Sequence, residues 1–130
     1  EVESKGIRIM EFISRMDLAY AIADLVVSRA GALSLSELCI VGKPAVLIPS
    51  PNVAEDHQTH NAMALVKNKA AIMIRDSEAR EKLGKTIIEI INDNVVLLKL
   101  SENIKKMAYT DAAERIAKEV LAIADKNRKN

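Results

Sequence analysis

Three linked segments decide the fold: Ala23-Asp-Leu-Val-Val-Ser-Arg-Ala-Gly-Ala-Leu-Ser-Leu-Ser-Glu-Leu38, Gly42-Lys-Pro-Ala-Val-Leu-Ile-Pro49, and Glu55-Asp-His-Gln-Thr-His-Asn-Ala62. Leu25–Ser28 is a short continuous apolar run, the mark of a parallel strand covered on both faces. Gly31 breaks that run. Ala32–Val41 then has helical spacing with Leu35, Leu38 and Cys39 inward, and Gly42 supplies the stop. Pro44–Ile48 reads as the next buried strand, bounded by Pro44 and Pro49. Ser50–Asp56 is a polar loop, and His57–Lys69 is a helix with Ala62, Leu65 and Val66 inward.

Outward from this block, Ile7-Arg-Ile-Met-Glu-Phe-Ile13 is apolar and β-branched and predicts a strand with its loop. Asp17–Ala23 predicts a short helix. Ala71–Ile74 predicts another short strand. Helices follow near Glu78–Ile91, Val95–Met107 and Ala112–Ala124, and Asp111 with Glu114 fits a capping box at the last of them. The prediction is an α/β fold, a mostly parallel sheet flanked by helices with a helical C-terminal tail. Residues 1–76 form the α/β part, 77–126 the helical tail, and 127–130 a fraying end.

At 130 residues the chain makes one domain, or part of one, with enough length for a real core. Hydrophobic residues at 49% and charged residues at 28% exclude disorder. A net charge of +1 and only 2% aromatics give no case for nucleic acid, neither for a phosphate-binding field nor for base stacking. Cys39 is the single cysteine, so no internal disulfide forms, which suits a reducing cytoplasm. On an apolar helix face it reads as a small core residue rather than a nucleophile. No apolar run approaches the ~18 residues of a membrane span. The chain begins at Glu1 and runs quickly into apolar sequence, which reads as a piece of something longer.

Open parallel sheets bind ligands beyond the C-terminal ends of their strands. Two successive strand-to-helix junctions there suit a phosphorylated ligand, because helix N-termini present unpaired N–H groups and partial positive charge. At the first junction, Ser34 lies in the opening turn after Gly31, and Glu37 lies one turn deeper, a rise of ~4.5 Å. This spacing suits phosphate at the helix tip and a carboxylate accepting from vicinal ribose hydroxyls. Ser34-x-x-Glu37 also fits a plain capping box. At the second junction, His57, Gln58 and Asn61 project from one side of a helix start, and such groups both donate to and accept from sugar hydroxyls. The same residues also fit an ordinary polar helix start. A metal reading of His57-x-x-His60 with Asp56 has neither an evident convergence of ligands nor a redox or zinc motif behind it, so no metal or other cofactor is expected. Backbone groups in Phe12–Met16 suit the edge of a flat base. Arg29 fits either a phosphate contact or a structural ion pair. No Ser-His-Asp or Cys-His arrangement stands out, so no catalytic residue is assigned.

With these residues in view, the chain resembles the C-terminal donor domain of the MurG family of bacterial GT-B glycosyltransferases. The resemblance runs from Phe12 to Ala117 and is densest from Ala23 to Ala62, in Ser-Arg-Ala-Gly-Ala with Ser-Glu, Gly-Lys-Pro and His-Gln-x-x-Asn-Ala. It implies a Rossmann-like domain that binds UDP-N-acetylglucosamine, with inverting transfer of N-acetylglucosamine to lipid I, giving lipid II for peptidoglycan, and no metal in the transfer step. By position it implies that Ile13 meets uracil through its backbone. It places Ala32, Leu33 and Ser34 around the diphosphate and sugar, Glu37 on the ribose diol, and His57, Gln58 and Asn61 on the sugar. His57 stands where some members have glutamine, Ser34 where some have threonine, and Arg15 where many carry an acid.

The resemblance also implies missing parts: an N-terminal domain that holds the lipid I acceptor and the base, and a Gly-Gly-Ser loop that touches the donor. This chain is therefore expected to be inactive alone and to lie in the cytoplasm, the parent enzyme being peripheral on the cytoplasmic face of the inner membrane. In the usual doubly wound order the absent strands would lie between Ile7–Met10 and Leu25–Ser28. That leaves a sheet edge exposed, to be satisfied by rearrangement or by pairing with another copy, a homo-oligomer. The alternatives are a separately encoded, non-catalytic UDP-sugar-binding subunit and a UDP-sugar epimerase-like domain.

Overall fold

A computed structural model describes residues 5–52 and 57–108. The elements run α1 (Met16–Ile22), β1 (Val26–Ser28), α2 (Ala32–Val41), β2 (Ala45–Leu47), α3 (His57–Lys67), β3 (Ile72–Met73), α4 (Asp76–Ile91) and α5 (Asn94–Met107). The three strands form a parallel sheet in the order β1-β2-β3. Val26 pairs with Ala45, Ser28 with Leu47, and Leu47 in turn with Met73. Bonds beyond the strand limits extend the ladder, with the Ile48 amide donating to Ser28 and the Ile74 amide to Leu47, both at 2.9 Å.

Strand β2 is central, and all three of its residues are buried. Its side chains alternate between two cores, as the period of two requires. Ala45 and Leu47 face a core with Leu35, Leu38, Cys39, Ala62, Leu65 and Ile104. Val46 and Ile48 face a second core with Ile74, Ile90 and Leu100. Helix α5 serves both, through Ile104 on one side and Leu100 on the other, so both faces of the sheet are covered near β2. Cys39 is buried, and burial pushes its thiol up, which keeps it protonated as a packing residue.

Helix α2 spans Ala32–Val41, the limits that its spacing predicts. Gly42 closes it in the left-handed conformation at φ 67°, with its N–H bonded to the Leu38 carbonyl at 2.9 Å. A side chain at Gly42 would also run into the stem of Lys105. Helix α3 ends at Lys67, two residues short of the predicted Lys69, which takes a positive φ of 54°. Helices α4 and α5 match their predicted stretches. The expected helix over Ala112–Ala124, its Asp111–Glu114 box and the frayed end lie outside the described residues.

One element differs. Ile7–Ile13 forms no strand. Its β-branched composition favours extended backbone, but a strand also needs a hydrogen-bonded neighbour, and the described sheet begins at β1. The segment instead exposes Ile9, Met10 and Phe12, the last at 80%.

Candidate functional site

The parallel topology delivers the N-termini of α2 and α3 to one edge of the sheet, after the ends of β1 and β2. Helix α2 starts with Gly31 as its N-cap, and its first internal bond joins the Leu35 amide to the Gly31 carbonyl at 3.0 Å. The N–H groups of Ala32, Leu33 and Ser34 therefore precede the helical ladder and form its electropositive tip. No acidic side chain sits in that first turn. Gly31 has an ordinary φ of −66°, and no atom of the described residues lies within 4 Å of where its Cβ would be. Neither its backbone conformation nor its packing against the described residues requires a glycine there.

The N-cap assignment removes the capping-box reading of Ser34 and Glu37. A box needs its serine at the N-cap, and Ser34 is the third helical residue. Glu37 is exposed, one turn further along, and its Oε2 accepts a hydrogen bond from the Tyr20 hydroxyl at 3.1 Å. Burial raises the Tyr20 phenol above its usual range, and the Glu37 bond and charge add to the rise, so the phenol stays a donor.

Helix α3 holds this tip in place. The Gln58 Oε1 accepts from the Ala30 amide at 3.2 Å and from the Ser50 amide at 2.9 Å. The Asn61 Nδ2 donates to the Ala30 carbonyl at 3.4 Å. Both backbone groups of the residue just before Gly31 are thus tied to α3, and the loop after β2 is tied to the same amide. Gln58 and Asn61, the residues expected at the sugar, both bond to backbone beside the tip. His57 is exposed at the start of α3. Arg29 resolves as a structural pair: its Nη1 donates to Asp76 at 2.7 Å and points at the Ile48 and Pro49 carbonyls, joining the ends of β1, β2 and β3.

Ile13 lies in the exposed segment ahead of α1. Beyond it, Arg15 and Asp17 form a two-bond exposed ion pair at 3.0 and 2.8 Å. Asp56 lies outside the described residues, and among the described ones no group of three acids, histidines or cysteines could hold a metal. No helix among the described residues is long and apolar enough to cross a membrane. Tyr20 escaped sequence reasoning. The available signal was a tyrosine on a short helix in a chain with two tyrosines, since a partly buried phenol seeks a partner for its hydroxyl.

Residues 1–116 match the glycosyltransferase family 28 C-terminal domain. The chain belongs to this family. Among the relatives of this glycosyltransferase family 28 domain is a protein of Parabacteroides distasonis, 56% identical over 89% of this chain and 32% of its own length. Another, from Phocaeicola vulgatus, is 52% identical over 95% of this chain and 33% of its own. Both are named UDP-N-acetylglucosamine–N-acetylmuramyl-(pentapeptide) pyrophosphoryl-undecaprenol N-acetylglucosamine transferase. The crystal structure of Acinetobacter baumannii MurG superposes with a TM-score of 0.72 at 28% identity, over 89% of this chain and 33% of that one. The α/β architecture with a parallel sheet is therefore that of the C-terminal Rossmann-like half of a GT-B enzyme. The chain spans about a third of the length of the curated relatives it matches.

Proposed function

We propose that this chain is the donor-binding part, over residues 1–130, of an inverting glycosyltransferase. The enzyme transfers N-acetylglucosamine from UDP-N-acetylglucosamine to lipid I, forming lipid II for the bacterial cell wall. The observation that carries this reading is the α2 tip: three leading N–H groups, a glycine with open space before them, and both backbone groups of Ala30 fixed by α3.

In this reading Ala32, Leu33 and Ser34 surround the diphosphate. Charge grows on that group as the sugar–phosphate bond breaks, and fixed N–H dipoles stabilise it without reorganising. Glu37 accepts from the ribose hydroxyls. The backbone at Ile13 meets uracil. His57 contacts the sugar directly. Gln58 and Asn61 border it while holding the tip that carries the phosphate. The acceptor and the general base come from the rest of the polypeptide, so this part binds donor and does not turn over alone. The enzyme works on the cytoplasmic face of the membrane as a peripheral protein, and this part needs neither metal nor nucleic acid.

Apart from that remainder, the edge of β1, unpaired on its outer side among the described residues, and the exposed apolar residues Ile9, Met10 and Phe12 favour pairing with a second copy. Light scattering at high concentration is expected to give a dimer, and a monomer at every concentration removes this part of the proposal.

The donor reading is tested by calorimetry with UDP on the Glu37→Ala variant. The expected loss is about 1–3 kcal/mol, the cost of leaving ligand hydroxyls without an acceptor. Unchanged affinity would take Glu37 out of the site.

A further inference from the structure

We propose that Tyr20 is a positioning residue for nucleotide recognition, acting through Glu37; this rests on the donor-site reading above. The Tyr20 ring packs against the core formed by α2, α3 and α5, while its hydroxyl reaches Glu37 Oε2 at 3.1 Å across 17 residues of sequence. A glutamate on an exposed helix face otherwise samples several rotamers, and holding it for a ligand costs side-chain entropy. A phenol packed against the core reduces that cost before the ligand arrives, which is how preorganisation raises affinity.

The bond also sets chemistry. Tyr20 donates, so Glu37 is held as an acceptor on one oxygen, with acceptor capacity remaining on the carboxylate. The group that completes such a carboxylate must donate. A ribose with neighbouring hydroxyls fits, and a sugar lacking one of them fits less well. Tyr20 therefore contributes to selecting a ribonucleotide over a deoxyribonucleotide while touching neither.

The test is a two-by-two comparison on this chain: wild type, Tyr20→Phe, Glu37→Ala and the double variant, each titrated by NMR with UDP and with 2′-deoxy-UDP. Tyr20→Phe keeps the ring in the core and removes only the donor. The expected result is a loss of about three- to tenfold in UDP affinity, the worth of one such hydrogen bond. The expected loss is under about twofold for 2′-deoxy-UDP and in the Glu37→Ala background, because coupled residues do not add. Equal losses for both nucleotides, or an undiminished loss without Glu37, would show that Tyr20 acts only through the fold and would overturn the inference. A loss from Glu37→Ala with none from Tyr20→Phe would overturn the inference and leave the donor reading standing. No UDP binding by wild type, or none of it sensitive to Glu37, would overturn the donor reading and this inference with it.

Discussion

The two ends of the described chain use hydrogen bonds and apolar surface in opposite ways. Around the α2 tip, polar side chains are spent on the backbone: Gln58 and Asn61 bind Ala30 and Ser50, and Arg29 bridges the ends of the strands. In residues 7–22, apolar side chains are exposed, α1 buries no residue, and Tyr20 supplies a tie to the core and to α2. A hydrogen-bonded frame beside exposed apolar surface teaches where each kind of interaction matters. The proposed donor role needs N–H groups at fixed positions, and the bonds to Ala30 and Ser50 hold the backbone beside them. Apart from Tyr20, the large apolar side chains exposed in residues 7–22 are suited to burial by another chain segment.

This contrast can be broken by substitution. The largest effect is expected at Gln58→Ala, which leaves the Ala30 and Ser50 amides without their shared acceptor. Stability should fall by about 1–3 kcal/mol in urea titrations, and UDP affinity should fall with it, since the tip is no longer held. A variant with wild-type stability and affinity would mean that the clamp does not support the tip.

A smaller effect is expected from pH at the Tyr20 tie. Its phenol is raised in the folded state, so its contribution is fully present below the unfolded value of about 10 and is lost as pH rises through the folded one. The wild type should therefore lose more stability than Tyr20→Phe between pH 8 and pH 11. Parallel loss in both proteins would remove the tie from the energetics. The smallest effect is expected at Phe12→Ser in the exposed segment, within about 0.5 kcal/mol in the same titration. A drop above about 2 kcal/mol would show that Phe12 is buried in solution and would erase the contrast.

The alternating core was readable wherever apolar runs were punctuated by Gly or Pro. Gly31, Gly42, Pro44 and Pro49 delimit β1, α2 and β2, and α2 begins and ends where its spacing says. The Ile7–Ile13 strand was misread because composition reports a preference for extended backbone and says nothing of a pairing partner. The capping-box alternative for Ser34 depended on which residue starts the helix, and Gly31 holds that place. The bonds of Gln58 and Asn61 to Ala30 and Ser50 have no mark in the sequence, because an amide serves a sugar and a peptide group equally well. The position of Glu37 on an exposed face one turn beyond the tip follows from helical spacing alone. Its bond to Tyr20 does not, because a contact across 17 residues leaves no local pattern.

The most direct test is a backbone amide NMR titration of this chain with UDP. The account predicts that the signals of Ala32, Leu33 and Ser34 shift most, with Glu37 next, as phosphate meets the helix tip. Shifts confined to the opposite end of the sheet around Lys43, Ser101 and Lys105, or none up to millimolar UDP, would contradict it.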